Sequence, residues 1–280
     1  MLRGDRHAIK LCTQDADRAA VRGMHLALVG AVGQGELNHV FYQRTVQVLN
    51  DAGIPYLIGG GFALGFHVGM DRKTKDLDVF VRPQHAQDVL DELGKAGYET
   101  EMTDPTWLGK AFCGSDFVDV IFAFGNGITH IDDGWFEHAK KGELWGEPVL
   151  YTPLEESLWS KAFVMERDRF DGADIAHIIQ HSADRLDWDR LVARFGEDWR
   201  VLLGHLILVG FIYPGIRNRI PERIMRELLR RLEPELDSAG EPGLCFGPFF
   251  SRTQYVHDLR DHGMADAREL RKPKAALLPR

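Results

Sequence analysis

The sequence predicts an α+β fold, in which a mixed β-sheet with flanking helices is followed by a helical C-terminal domain. Strand-like and helix-like segments alternate in the order β-α-β-α-β over residues 54–123, and this order is typical of a sheet with helices packed against it. From Thr152-Pro153 to about residue 232, only helical periodicity remains. The chain has 280 residues, of which 44% are hydrophobic, so it can form either one large domain or two ordinary ones.

Each element is predicted from its apolar pattern and from the residues that bound it. In the first part these elements are a helix at 37–52, a strand at 54–58, a helix at 62–68, a strand at 76–81, a helix at 85–97 and a strand at 117–123. In the second part they are helices at 154–168, 172–182, 188–195, 198–213 and 221–232. Asp187 is predicted to cap the helix that begins at Trp188, because a side-chain oxygen there accepts a bond from a free backbone N–H.

Changes in composition divide the chain into four predicted segments. They are an N-terminal extension (1–35), the sheet-containing domain (36–150), the helical domain (151–263) and a flexible basic tail (264–280). The tail is polar and basic and contains two prolines, which is typical of a mobile arm.

Composition and charge exclude several classes of protein. The formal net charge of -8 does not indicate a strongly basic nucleic-acid-binding surface. The cysteines Cys12, Cys113 and Cys245 form neither a CxxC pair nor a disulfide framework, so a reducing, cytoplasmic location is predicted. No signal peptide is predicted, because no continuous apolar stretch follows the charged residues at the N-terminus. No membrane span is predicted, because the most apolar run, Val201–Tyr213, is too short to cross a bilayer and contains His205.

Asp76 and Asp78 are the first candidates for chemistry. Residues two apart in a strand point to the same side, so these carboxylates are predicted to lie together between apolar neighbours. Two like charges at the end of a buried strand repel each other unless a divalent cation lies between them, and Mg²⁺ prefers carboxylate, phosphate and water oxygens. The alternative is an exposed strand edge on which both charges are simply solvated.

Asp119 is the third acidic candidate. It is the only charged residue in the strand-like run Phe117–Ala123, where a lone carboxylate needs a partner. If its strand pairs beside the strand of Asp76, three carboxylates converge and can hold two Mg²⁺ ions, with Mn²⁺ as a second candidate. One ion activates an attacking hydroxyl and the other neutralises a triphosphate and its leaving pyrophosphate. A strand-end aspartate bonded to a backbone N–H is the alternative.

Glycines and basic residues precede the acidic pair. Gly60 and Gly61 follow the strand at 54–58, and without side chains they let backbone N–H groups approach a phosphate at the start of the next helix. Arg72 and Lys75 can meet phosphate charge, and Thr74 can cap or donate. These five residues are therefore the predicted nucleotide-binding group, although a tight turn from strand to helix needs glycine for structural reasons as well.

The segment Gly60–Phe80 resembles a known family. It combines a Gly-Gly turn, a later Arg-x-Thr and an Asp-Leu-Asp, and it looks like the nucleotidyltransferase superfamily built on the DNA polymerase β-like palm. It is similar to the branch that holds AbiEii-type toxin nucleotidyltransferases and small-molecule resistance transferases. The resemblance covers about residues 55–125 and extends loosely to about residue 180.

The resemblance implies a reaction and a set of site residues. The chain is expected to move a nucleoside monophosphate from an NTP to an acceptor hydroxyl with release of pyrophosphate, and residues 36–150 are the implied catalytic domain. Gly60 and Gly61 would hold phosphate, and Asp119 would also act as base toward the acceptor hydroxyl. The implied metal ligands and catalytic residues are Asp76, Asp78 and Asp119.

A weaker resemblance continues into the helical part. Residues Pro153–Lys161 and Arg167–Asp174 look like the helix pair that follows the palm in AbiEii-type proteins, in which a lysine and a late aspartate face the active site. This implies a catalytic role for Lys161 and a nucleotide-binding role for Asp174, with Asp171 as a further candidate. The alternatives are a solvated surface lysine and a solvated acidic helix face.

The implied partners are an NTP donor and an acceptor, which the sequence leaves open among a small molecule, tRNA and protein. An AbiEii-type toxin would use the same chemistry on tRNA or protein, restrained by an antitoxin. A non-catalytic nucleotide-binding module on the same fold is a second alternative. A two-metal phosphoesterase is a third, and it usually has histidine ligands near its carboxylates, where His67 is the nearby candidate.

Overall fold

A computed structural model describes residues 34–69, 74, 76–114, 116–251 and 253–271 of the chain. Its strands are β1 (Tyr56–Ile58), β2 (Leu77–Val81), β3 (Glu99–Asp104), β4 (Leu108–Cys113), β5 (Asp116–Ile121), β6 (Lys140–Leu144), β7 (Glu147–Tyr151), β8 (Leu244–Cys245) and β9 (Ala265–Asp266). The helices of the described part are α1 (Gln34–Ala52), α2 (Gly60–Val68), α3 (Ala86–Lys95), α4 (Asp133–Glu137), α5 (Leu154–Ala162), α6 (Gly172–Ser182), α7 (Trp188–Phe195), α8 (Trp199–Ile212), α9 (Glu222–Leu232), α10 (Val256–Arg260) and α11 (Ala267–Arg271). Almost all of the predicted N-terminal extension and most of the predicted basic tail lie outside the described residues.

The first of two compact units holds the main sheet and consists of the described residues within Met1–Phe66, Asp71–Ala123 and Ile131–Pro153. The order of its seven strands is β3-β4-β5-β2-β1-β7-β6. β2 runs parallel to β5 and antiparallel to β1, while β1 runs parallel to β7, so the sheet is mixed. The α+β class predicted from the sequence, a mixed sheet with flanking helices and a helical C-terminal region, is therefore confirmed.

Alternation along β2 decides which face of the sheet is buried. Leu77, Val79 and Val81 are completely buried and share one hydrophobic core with apolar side chains of α1 and α3. Burial of each such side chain contributes about 1.5–3 kcal/mol, which fixes the register of the strand. Asp78 and Phe80 alternate with these residues and therefore point to the opposite face.

Four strands of the sheet, namely β3, β4, β6 and β7, were not predicted from the sequence. β3 is an edge strand with mostly exposed polar residues, so it lacks an alternating apolar pattern. β7 contains Pro148, and a proline argues against a central strand. Pro148 does not disturb the pairing with β1, because only Tyr151 of β7 pairs with that strand.

The β6–β7 turn passes through Trp145 and Gly146 with φ values of 54° and 83°, and Trp145 stacks on Tyr42.

Of the helix boundaries that differ from the prediction, two have a cause that the structure shows. Helix α2 begins at Gly60 and not after the glycines, because the N–H of Ala63 already donates to the carbonyl of Gly59 at 3.0 Å. Helix α5 is shorter than predicted, because the chain turns back on itself in a bridge between Met165 and Phe170.

The second compact unit is mainly helical and consists of the described residues within His67–Met70, Phe124–His130 and Leu154–Arg280. Buried ion pairs join α5 to α7: Glu156 is fully buried and binds Arg190 and Arg194, while Glu155 binds Arg190 at 2.7 Å. The predicted helix cap is confirmed, since Asp187 accepts a bond from the backbone N–H of Arg190 at 3.0 Å. Among the described residues, no helix combines the length and the apolar character needed to cross a membrane.

Candidate active site

Three acidic side chains meet on the face of the sheet that points away from the core of the first unit. Asp78 of β2 and Asp119 of β5 are direct neighbours in a parallel pair, and Asp76 immediately precedes β2. One carboxylate oxygen from each of the three residues lies within 4.8 Å of the others, and all three residues are partly exposed. The structure thus brings together the three aspartates that the sequence singled out.

This carboxylate cluster, defined as Asp76, Asp78 and Asp119, has the donor chemistry of a hard-cation site. Three like charges at this spacing repel one another in the absence of a cation. Ionised carboxylate oxygens on adjacent strands are ligands that Mg²⁺ and Mn²⁺ accept, and partial exposure leaves room for phosphate and water oxygens. The residues present therefore fit a divalent metal.

Gly60 makes room for one member of the cluster. A Cβ atom on Gly60 would lie 1.6 Å from Oδ2 of Asp78, and the residue has a φ of +52°, which L side chains rarely adopt. The adjacent Gly59 donates its N–H to the carbonyl of Asp78 at 2.9 Å. Gly60 is also the first residue of α2, so free N–H groups of a helix start lie beside the carboxylates. The turn therefore positions Asp78 as well as the helix terminus.

Thr74 lies beside the same carboxylates, and its hydroxyl is directed at Asp76. Its Oγ1 donates to the backbone carbonyl and to Oδ1 of Asp76, each at 3.0 Å. A Cβ on Gly61 would approach Cβ of Thr74 to 3.0 Å, so Gly61 allows this close packing. Arg72 and Lys75, the other two predicted nucleotide-binding residues, lie outside the described residues.

Sequence reasoning missed Lys110, which lies next to the cluster on β4. Lys110 is directly opposite Asp119 in the antiparallel β4–β5 pair, and its Nζ donates to Oδ1 of Asp119 at 2.5 Å. The ammonium also lies 4.3 Å from the centre of the Phe117 ring. Lys110 is the only charged residue of β4, the same kind of signal that identified Asp119, but β4 itself was not predicted.

Tyr42 of α1 experiences the electrostatic field of the acidic residues. Burial is the main cause that raises the pKa of its hydroxyl to about 12, and the negative charges of Asp116, Asp76, Asp119 and Asp78 add to it in that order. The phenol therefore stays neutral at physiological pH. No sequence signal distinguished this tyrosine from the other apolar positions of the helix.

In the second unit, Lys161 lies between two aspartates. Its Nζ is 2.8 Å from Oδ2 of Asp174 and 3.2 Å from Oδ2 of Asp171. The three side chains are only 11–14% exposed, so neither a solvated lysine nor a solvated acidic face describes them. Burial alone would raise the pKa of Asp171, but the charges and hydrogen bonds of Lys161 and Arg169 outweigh it and lower that pKa below its ordinary value.

Replacement of Lys161 is expected to destabilise the fold whatever its role in catalysis. Lys161→Met leaves two mostly buried carboxylates without their shared cation, and we expect the free energy of unfolding to fall by about 2–3 kcal/mol. Urea unfolding followed by circular dichroism measures this change. The matched control is Lys95→Met, since Lys95 is 71% exposed and pairs only with Glu92 on the surface. Equal unfolding curves for the two variants would show that the buried ion pairs contribute no net stability.

The comparisons with known proteins concern the same part of the chain. A family model described as aminoglycoside-2''-adenylyltransferase matches residues 43–124. This segment contains the glycine turn, Lys110 and the whole carboxylate cluster. The predicted resemblance to nucleotidyltransferases of the small-molecule resistance branch is therefore confirmed over this segment, and the matching model describes a family of nucleotidyltransferase enzymes. A search of curated proteins finds no match.

Three similar solved structures are distant likenesses of this chain. The solution structure of the antibiotic-resistance factor ANT(2'')-Ia has 18% identity and a TM-score of 0.45, and the alignment covers 61% of this chain and 97% of that chain. A lincomycin-bound lincosamide antibiotic adenylyltransferase, LnuA, has 17% identity and a TM-score of 0.37, with 50% and 94% covered. An antigenic nucleotidyltransferase-like protein from Paracoccidioides brasiliensis has 17% identity and a TM-score of 0.45, with 65% and 91% covered. At such low identity and partial superposition, these likenesses do not bear on substrate.

Proposed function

We propose that the chain is a Mg²⁺-dependent nucleotidyltransferase, which moves a nucleoside monophosphate from an NTP to an acceptor hydroxyl and releases pyrophosphate. The observation that carries the proposal is the carboxylate cluster, whose ligand oxygens lie within 4.8 Å of one another. It lies inside the segment that the adenylyltransferase family model matches. A pure nucleotide-binding module has no need of three clustered acids, which favours catalysis.

Each residue of the site has a proposed role. Asp76, Asp78 and Asp119 bind the metal, with Mn²⁺ as a substitute for Mg²⁺. When bound, two such ions would neutralise the triphosphate and lower the pKa of the attacking hydroxyl. Asp119 accepts the proton of that hydroxyl, and the N–H groups that begin at Gly60 and Gly61 hold phosphate.

ATP and an aminoglycoside are the proposed donor and acceptor. The family model is named for adenylyl transfer to aminoglycosides, which supports a small cationic acceptor. The formal net charge of -8 supports the same choice, because an acidic protein attracts a polycation and repels a polyanion such as tRNA. The buried Lys161 and Asp174 of the second unit keep their proposed roles as catalytic and nucleotide-binding residues.

The test follows the α-phosphate and the γ-phosphate of ATP separately. The protein is incubated with Mg²⁺ and with either α-labelled or γ-labelled ATP, in separate mixtures containing aminoglycosides, total tRNA or cell protein. We expect the α-label in the aminoglycoside fraction and the γ-label in pyrophosphate. Label in tRNA or protein would instead identify the chemistry of an AbiEii-type toxin. Orthophosphate release without transfer would contradict the proposal and identify a phosphoesterase, and Mg²⁺-dependent ATP binding without turnover would identify a binding module.

A further inference from the structure

A lysine continues the row of acidic residues across the sheet. Lys110 on β4 is opposite Asp119 on β5, and Asp119 is beside Asp78 on β2. Side chains at paired positions of adjacent strands lie on the same face, so the ammonium and the carboxylates share one surface. The cation is therefore placed by strand register and not by a chance contact between mobile side chains.

The contact of Lys110 is with an oxygen of a proposed metal ligand. Its Nζ lies 2.5 Å from Oδ1 of Asp119, within a cluster whose formal charge is -3. In the absence of a metal, this ammonium offsets part of the repulsion among the carboxylates. A divalent ion that binds Asp119 meets a positive charge close by and loses affinity.

Lys110 is also able to leave Asp119 when another anion arrives. Its side chain is 23% exposed, and lysine has a flexible stem with three donors, which suits a phosphate as well as a carboxylate. The triphosphate of an NTP brings several negative charges to the same surface, and it competes with Asp119 for the ammonium.

From these contacts we propose that Lys110 is a resident counter-ion of the carboxylate cluster, holding Asp119 in the free protein and transferring to the triphosphate when the nucleotide binds. This inference rests on the proposed function. It makes metal binding depend on the nucleotide: the metal alone binds weakly, and the metal with NTP binds well because the lysine has a new partner.

Removal of the Lys110 charge is expected to change the affinity for Mn²⁺ and the affinity for an ATP analogue in opposite directions. Lys110→Met should bind Mn²⁺ alone about tenfold more tightly than the wild type, because one positive charge near a divalent ion is lost. The same variant should bind a non-hydrolysable ATP analogue with Mg²⁺ about tenfold more weakly, because a phosphate partner is lost. A lysine with a merely structural role produces no gain in metal affinity.

The experiment titrates Mn²⁺ into the full chain by electron paramagnetic resonance and the ATP analogue by calorimetry, without measuring turnover. Lys110→Arg keeps the charge and should bind Mn²⁺ as the wild type does, while Lys95→Met removes an exposed surface charge and should change neither affinity. Thermal melts establish that each variant is folded, and Asp78→Asn marks binding that depends on the cluster.

The outcomes distinguish a failure of the counter-ion role of Lys110 from a failure of the proposed function. Tighter Mn²⁺ binding together with weaker analogue binding in Lys110→Met supports the counter-ion role. Unchanged or weaker Mn²⁺ binding in Lys110→Met overturns the counter-ion role, and so does unchanged binding of the ATP analogue. In either case the proposed function still stands if the wild type binds Mn²⁺ and Asp78→Asn abolishes that binding. If the wild type binds no Mn²⁺ with or without the analogue, the proposed function itself fails.

Discussion

Asp78→Asn is expected to abolish nucleotidyl transfer while leaving the protein folded. The amide keeps the size of the side chain but removes one of three charges that hold the proposed metal, and the loss should be about 10³-fold or more in kcat/KM. Because the variant also relieves repulsion within the cluster, its metal-free melting temperature should be equal to or above that of the wild type. Transfer of label from α-labelled ATP to an aminoglycoside and a thermal melt measure the two effects.

The control for this prediction is another aspartate of the same unit. Asp88 is 64% exposed and lies on α3, whose buried side faces the core, so Asp88→Asn should keep wild-type activity and stability. Activity within tenfold of wild type in Asp78→Asn would contradict a role for this carboxylate in metal binding. Asp76→Asn is expected to behave as Asp78→Asn does.

Gly60→Ala is the second substitution with a large expected effect. The new methyl group would lie 1.6 Å from Oδ2 of Asp78, at a φ of +52°, so either the turn or the carboxylate must move. A displacement of about 1 Å at a catalytic group lowers the rate by about 10²-fold, and we expect at least that loss of transfer. Adoption of a left-handed conformation by alanine adds a destabilisation of about 1–2 kcal/mol.

Substitution of a second glycine distinguishes the effect of backbone strain from the effect of a collision with the Asp78 carboxylate. Gly53 has a φ of +66° and nothing within 4 Å of the position of its missing Cβ. Gly53→Ala should therefore lower the free energy of unfolding by a similar amount without reducing the transfer rate. If Gly60→Ala transfers as fast as Gly53→Ala at a temperature where both are folded, the close approach of Gly60 to Asp78 is not important for the reaction.

The geometric predictions that the structure confirms in and around the site depend on short stretches of sequence. The alternation of Asp76, Leu77 and Asp78 determines which side chains share a face, and a lone aspartate in an apolar run marked Asp119. The cap at Asp187 was likewise visible from local chemistry. These signals need only the period of a strand or the start of a helix, both of which the chain encodes locally.

The parts that were missed depend on pairing between distant residues. Lys110 becomes part of the site only because the β4–β5 hairpin sets it opposite Asp119, and no pattern within β4 contains that register. Lys161 is a candidate from the sequence only through the resemblance, with a solvated surface lysine as the alternative, because the turn that brings Asp171 and Asp174 to it is not periodic. The edge strands β3 and β6 carry many exposed polar side chains, so they lack the apolar alternation by which a strand is predicted.

The most direct test of the central claim is the mass of the acceptor after reaction. An aminoglycoside is incubated with ATP, Mg²⁺ and either the wild type or Asp78→Asn, and the products are analysed by mass spectrometry together with a pyrophosphate assay. We predict that the wild type adds one AMP to the antibiotic and releases pyrophosphate in equal amount, and that Asp78→Asn does neither. An unmodified antibiotic and no pyrophosphate release in the wild-type reaction, or equal products from Asp78→Asn, would contradict the assignment of adenylyl transfer to the carboxylate cluster.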